Sequence, residues 1–237
     1  VSSLESFPHG GQAVVVGSYG GIGAALLTRV EASGRFARVT GLARRHGQID
    51  LENETSIAAA AERLRDGPPL RLALCATGLL HDPQQQPEKS WRALDADALL
   101  RAYAVNAVGP ALLAKHLLPL FPAQGRCVFA ALSARVGSIG DNRSGGWHAY
   151  RASKAALNML LRNLSIELQR RRPEAICVGL HPGTVDTGLS KPFQANVAEG
   201  KLFTPAYSAE RLLAVVDGLR PEDSGTVLAW DGQRVEP

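Results

Sequence analysis

The sequence predicts an α/β fold: a doubly wound parallel sheet of about seven strands with helices on both faces, in a single domain spanning residues 1–237. Three observations predict it. Short apolar strand-like runs alternate with helical patterns from end to end, no linker, repeat or composition shift divides the chain, and 237 residues suit one α/β domain. Such alternation argues for parallel strands joined by right-handed crossovers and covered on both faces.

The elements follow in order. Gln12–Gly17 reads as a strand and Ile22–Ser33 as a helix closed by Gly34. Ala37–Ala43 is the next strand, and Thr55–Arg65 an Ala-rich helix ended by Gly67-Pro68-Pro69. Leu70–Ala76 is a strand, Asp97–Phe121 a long helical region with an expected kink at Pro110, and Arg126–Leu132 a strand. His148–Arg172 is a helix whose Arg170-Arg171-Arg172 suits the negative end of its dipole, with Pro173 as the stop. Ala175–Leu180, helix Ser208–Leu219 and strand Thr226–Trp230 complete the pattern. Two long segments are irregular, Leu79–Ala96 and Asp186–Pro205, and the second is the expected substrate lid.

Composition narrows the function. Net charge is +4, with 45% apolar and 20% charged residues, which excludes disorder over most of the chain. The basic residues are scattered and form no reader motif, so nucleic acid is not an expected partner. No apolar run is long enough to span a bilayer, and Val1–Gly11 lacks the basic and apolar regions of a signal peptide. Cys75, Cys127 and Cys177 are widely spaced within apolar runs, which argues against metal or disulfide frameworks and for a reducing compartment, the cytoplasm.

The first strand runs into Gly17-Ser18-Tyr19-Gly20-Gly21-Ile22-Gly23. Residues without Cβ permit a tight turn and close approach to a pyrophosphate, whose charge the following helix N-terminus favours. Strand, glycine turn and apolar helix together predict a Rossmann-like dinucleotide site. After the second strand come Arg44 and Arg45, with no acid between Glu31 and Asp50. A carboxylate here would bind the ribose 2′-hydroxyl of NAD; paired guanidinium forks suit a 2′-phosphate, so NADP(H) is favoured over NAD(H).

Tyr150 and Lys154 are four apart at the start of a predicted helix, hence on one face. A free phenol is a weak acid with pKa about 10, and an adjacent ammonium is expected to lower it. Tyr150 then exchanges a proton with a carbonyl or alcohol oxygen during hydride transfer.

GxxxGIG, YxxSK and Pro182-Gly183, in this order, resemble the short-chain dehydrogenase/reductase family over essentially the whole chain. The stretch from Ser133 to Asn158 is similar to the subgroup of C-factor-like signalling proteins and sniffer-type carbonyl reductases. The resemblance implies that Gly17, Gly21 and Gly23 hold the pyrophosphate with Ser18, Tyr19 and Ile22 in the same loop, and that Arg44 meets the 2′-phosphate. It implies that Asp50 and Leu51 lie near the adenine, and that Ala76 and Gly78 belong to the cofactor wall, although Cys75-Ala76-Thr77-Gly78 replaces the usual Asn-Asn-Ala-Gly. Asn106 matches a helix asparagine supporting Lys154; Lys154 binds the nicotinamide ribose and tunes Tyr150; Pro182, Gly183, Val185 and Thr187 position the nicotinamide. The resemblance also implies a homodimer or homotetramer through the two long helices and a small-molecule carbonyl or alcohol substrate.

One departure matters. Where the family places a catalytic serine second in a Ser-Ser pair, this chain has Ser133-Ala134. Adjacent strand residues face opposite ways, so Ser133 replaces it only if the strand end re-aims it; Ser138 is another candidate donor. This motivates an alternative class, a nucleotide-binding regulatory or signalling protein with weak or vestigial catalysis. An elongated epimerase is a weaker third, because the chain is short for a separate sugar domain. Arg135 faces either an anionic substrate group or solvent, Trp147, Phe193 and Phe203 are candidate pocket walls, His148 reads as a surface histidine at the helix start rather than a pocket residue, and His181 is assigned a structural role. No serine sits in a GxSxG elbow, which argues against acyl transfer.

Overall fold

The structure, a computed structural model, describes residues 4–237; the first three residues of the N-terminal segment considered above lie outside the described residues. The strands are β1 (Gln12–Val16), β2 (Arg38–Leu42), β3 (Leu70–Cys75), β4 (Cys127–Leu132), β5 (Ala175–His181), β6 (Thr184–Val185), β7 (Leu202–Phe203) and β8 (Val227–Ala229). The α-helices are α1 (Gly21–Ala32), α2 (Glu54–Arg65), α3 (Ala96–Tyr103), α4 (Gly109–Leu117), α5 (His148–Arg171) and α6 (Pro205–Gly218). Six strands form one parallel sheet in the order β2-β1-β3-β4-β5-β8, against about seven expected, while β6 and β7 pair with each other outside it.

The apolar strand runs are explained by burial on both faces. Val14, Val16, Ala73, Cys75, Phe129 and Ala131 point to one side, against Ile57, Leu64, Leu113, Leu117, Leu157 and Leu161 of α2, α4 and α5. Their strand neighbours Ala13, Val15, Leu72, Leu74, Val128 and Ala130 point to the other, against Leu26, Val30, Leu212, Leu213 and Val216 of α1 and α6. The period of two thus feeds two separate cores.

From β1 the chain crosses to β2 on one side, and β3 and β4 continue on the other. The sheet order therefore reverses between β1 and β3, and the crevice beyond their C-terminal ends is where open α/β sheets bind ligands.

The kink expected at Pro110 takes a definite form. Between α3 and α4 the chain makes a π-turn, Ala104–Val108, in which the Gly109 N–H donates to the Ala104 carbonyl. A proline in a regular helix lacks an N–H and its ring strikes the carbonyl four residues back, here that of Asn106. The wider turn removes that clash, as π-bulges do at functional positions.

Candidate active site

Gly17 follows β1 with φ +84°, and a Cβ there would lie 2.8 Å from the Ala76 carbonyl oxygen. A Cβ on Gly23 would overlap the Gly17 carbonyl oxygen, so that α1 packs hard against the turn. Gly20 caps α1 without a side-chain bond, and its first turn holds no acidic residue. The uncapped N–H groups and positive helix end are therefore free for an anion, and the glycine cradle fits a pyrophosphate.

Three contiguous cavities run along the C-terminal rim of the sheet. The first, about 380 Å³, is lined by Gly17, Tyr19, Arg44, Arg45, Asp50, Leu51, Ala76 and Gly78. The second, about 420 Å³, shares Tyr19, Ala76 and Gly78 with it and adds Gly21, Ile22, Ser133, Tyr150, Lys154, Pro182 and Thr187. The third, about 210 Å³, shares Ile22, Ser133, Tyr150, Pro182 and Thr187 with the second and continues past Ala134, Trp147, His181, Gly183, Val185 and Phe193. One groove thus joins the glycine turn and paired arginines to Tyr150. Of the residues assigned to the cofactor and catalytic site in the sequence, Ser18, Gly23 and Asn106 do not line it: Ser18 and Gly23 are buried beneath the turn, and Asn106 is fully buried behind it.

At the wide end, Arg44 Nη1 lies 3.0 Å from Glu52 Oε2, with the Arg44 side chain 70% exposed. The Tyr19 ring packs on His46 at 4.4 Å beside it.

Asn106 acts from behind. Its Nδ2 donates to the Leu79 carbonyl (2.8 Å) and to Ser153 Oγ (3.0 Å), while its Oδ1 accepts from the Leu79 N–H (2.7 Å). It ties the π-turn, the segment after β3 and the first turns of α5 together. Glu88, an unforeseen contributor, holds the start of α5: its carbonyl accepts from the Trp147 N–H and its Oε2 from the Ala149 N–H at 3.2 Å. Trp147 takes φ +50° there. Nothing in the sequence of the irregular segment marks Glu88 for this part.

Lys154 is 2% exposed, and its Nζ donates to the Leu132 carbonyl at 2.7 Å. That Nζ stands 5.8 Å from the Tyr150 ring centre. Burial pushes the ammonium down to about 8, with the nearby Cys75 opposing. Burial pushes the Tyr150 phenol up to about 12. This corrects the expectation that Lys154 lowers the phenol: the amine is turned to a backbone carbonyl, and desolvation of the phenolate dominates. Tyr150 thus holds its proton firmly.

Ser133 lines the groove, but its hydroxyl donates to Asn158 Oδ1 of α5 at 2.6 Å, leaving it acceptor capacity only. Ser138 is buried away from the three cavities, where its hydroxyl donates to the Pro237 carbonyl at 3.3 Å. Arg135 approaches Asp141 at 3.6 Å. Trp147 and Phe193 form an aromatic wall, with ring centres 5.0 Å apart, whereas Phe203 packs on Trp230 at 4.6 Å.

Comparison with known proteins gives the family. A family model described as Enoyl-(Acyl carrier protein) reductase matches residues 13–216. The chain belongs to the short-chain dehydrogenase/reductase family. It is an oxidoreductase of that family. It is 34% identical over 185 residues to 1-hydroxy-2-glutathionyl-2-methyl-3-butene dehydrogenase of Rhodococcus sp. strain AD45, covering 78% of this chain and 76% of that one. It is 38% identical over 149 residues to C-signal of Myxococcus xanthus, covering 61% and 84% respectively. An NADPH-bound carbonyl reductase from chicken fatty liver shares the fold with a TM-score of 0.79 at 21% identity, over 98% of this chain and 96% of that one. Among the described residues no helix is long and apolar enough to cross a membrane.

Proposed function

We propose that this short-chain dehydrogenase/reductase interconverts a small carbonyl compound and its alcohol with NADP(H). The observation that carries the reading is the single groove that places Tyr150 and Lys154 at one end and the uncapped glycine turn with Arg44 and Arg45 at the other. The dinucleotide, when bound, supplies or accepts hydride. The chain's own residues do the rest. Gly17, Gly21 and Gly23 admit the pyrophosphate against the N-terminus of α1. Arg44 and Arg45 meet the 2′-phosphate, which draws Arg44 away from Glu52. Lys154, anchored on Leu132, presents its charge to the ribose, and Tyr150 gives its proton to the carbonyl oxygen. Residues 186–205 cover the far end as a lid, and the three buried free thiols suit a reducing compartment, the cytoplasm.

Melting curves test the cofactor assignment. Saturating NADPH at about a hundred times its Kd adds about 2.7 kcal/mol, raising Tm by roughly 5–10 °C. NADH at equal concentration gives less. Arg44→Ala weakens NADPH by roughly ten- to a hundred-fold, the loss of one charge-assisted hydrogen bond, and leaves NADH unchanged. Equal shifts from both nucleotides overturn the NADP(H) preference.

Ala134 and the committed Ser133 hydroxyl favour a second reading, a nucleotide-dependent regulatory protein with vestigial turnover. A panel of aldehydes, ketones and quinones separates the two: NADPH oxidation with any of them supports the enzyme, and tight binding without oxidation supports the regulator.

We also infer self-association. Leu100 of α3, Val108 of the π-turn, and Met159 and Ile166 of α5 are 69%, 47%, 62% and 39% exposed, an apolar set suited to a second copy of the chain. Sedimentation velocity is expected to show a dimer or tetramer that Met159→Lys shifts toward monomer. A monomeric wild type removes the inference.

A further inference from the structure

The carbonyl oxygen of a substrate has two lone pairs, and Tyr150 meets one of them. At the end of β4, beside Tyr150, the other finds no hydroxyl donor: Ala134 has no polar side-chain atom, and the Ser133 proton is given to Asn158. The next strand over ends in a different group. β5 closes on His181, one residue beyond Leu180, whose carbonyl accepts the Ser133 N–H at 2.8 Å. His181 lines the same cavity of about 210 Å³ as Tyr150, Ser133 and Ala134. Its Nδ1 is sealed from solvent and has no hydrogen-bond partner.

A polar side chain set at a cleft with an orphaned nitrogen is costly unless it has a use. Its protonation state limits that use. Burial pushes the ring down to about 4, with Arg135 acting in the same sense and Asp231 against. At neutral pH it therefore carries one N–H and one lone pair. A sealed nitrogen without an acceptor tolerates a lone pair better than an orphaned N–H, since unpaired buried donors are the rarer case. The proton then sits on Nε2.

We propose that His181 is a catalytic residue that donates a hydrogen bond from Nε2 to the substrate carbonyl oxygen, the second alongside Tyr150. This rests on the carbonyl-reducing reading above. As the carbonyl carbon takes up hydride, its π electrons move to oxygen, and Tyr150 gives up its proton to that oxygen. His181 keeps its own proton throughout. Its bond strengthens as charge builds on the oxygen, which is what makes such a donor lower the barrier rather than tighten ground-state binding.

The test uses the NADPH-loaded protein and four forms: wild type, His181→Ala, Ala134→Ser and the double variant. His181→Ala is expected to lower kcat by about a hundred-fold, the cost of one such donor, with NADPH affinity and Tm near wild type. Ala134→Ser places a hydroxyl on the neighbouring strand end and is expected to restore at least about ten-fold of that loss in the double variant. Long-range proton–nitrogen NMR of the NADP-bound protein gives a readout free of turnover: a neutral ring protonated on Nε2 at pH 7. The proposal is overturned by a kcat in His181→Ala within threefold of wild type. It is also overturned by parallel loss of NADPH binding and Tm with no rescue by Ala134→Ser, or by a ring protonated on Nδ1. A wild type that reduces no carbonyl overturns the proposed function as well, whereas an active wild type with an unaffected His181→Ala overturns this assignment alone.

Discussion

Tyr150→Phe is expected to lower kcat for carbonyl reduction by about a thousand-fold, within the range that a positioned general acid contributes, while NADPH still raises Tm as in wild type. Phenylalanine keeps the ring that stands 6.4 Å from Trp147 and removes only the oxygen. The loss therefore reports on proton transfer rather than packing. Because burial holds the phenol near 12, Tyr150 stays protonated across the working range, and the titration that matters is Lys154 at about 8. The ammonium is present below that value and lost above it, so wild-type kcat/KM for reduction falls as pH rises through about 8. A Tyr150→Phe variant with kcat within tenfold of wild type takes the acid–base assignment away.

Gly23→Ala is expected to damage fold and cofactor binding together. The new methyl overlaps the Gly17 carbonyl oxygen, a backbone atom of the very turn meant to cradle the pyrophosphate. Relief requires α1 to part from the turn. α1 packs on the sheet through Leu26 and Val30, so the displacement is felt in the core. Overpacking of this kind costs about 3 kcal/mol, or roughly 6–12 °C in Tm for a chain of this size. The NADPH-induced rise in Tm is expected to vanish. Gly34→Ala, at a site where a Cβ meets nothing within 4 Å but φ is +62°, controls for backbone strain alone. Equal effects from the two substitutions would falsify the close-approach argument.

Much of this was legible in the sequence because it depends on short-range rules. The run Ala13-Val14-Val15-Val16 has no polar face, so it reads as a strand covered on both sides, and it feeds both cores. The spacing of Gly17, Gly21 and Gly23 before an apolar helix, and of Tyr150 and Lys154 within one, is local and survives folding. The six apolar runs read as strands, from Gln12–Gly17 to Thr226–Trp230, each supply one strand of the sheet, so the count of about seven is close to the six observed. What remained hidden is set by distant partners. Ser133 is turned toward Asn158, which lies 25 residues on. Glu88 reaches the start of α5 across 61 residues. The direction of the Tyr150 shift depends on how deeply the phenol is covered, which spacing on a helix does not reveal.

The π-turn at Ala104–Val108 means that the long helical region carries one residue more than a regular rod of the same reach. The scaffold does not need that surplus; the strut formed by Asn106 between Leu79 and Ser153 does. Pro110 locks it in, because any shortening back to an unbroken rod drives the proline ring onto the carbonyl four positions earlier. Loss of the surplus residue must therefore come paired with replacement of Pro110. A descendant sequence bearing both changes would keep its architecture while shedding the brace behind its chemistry.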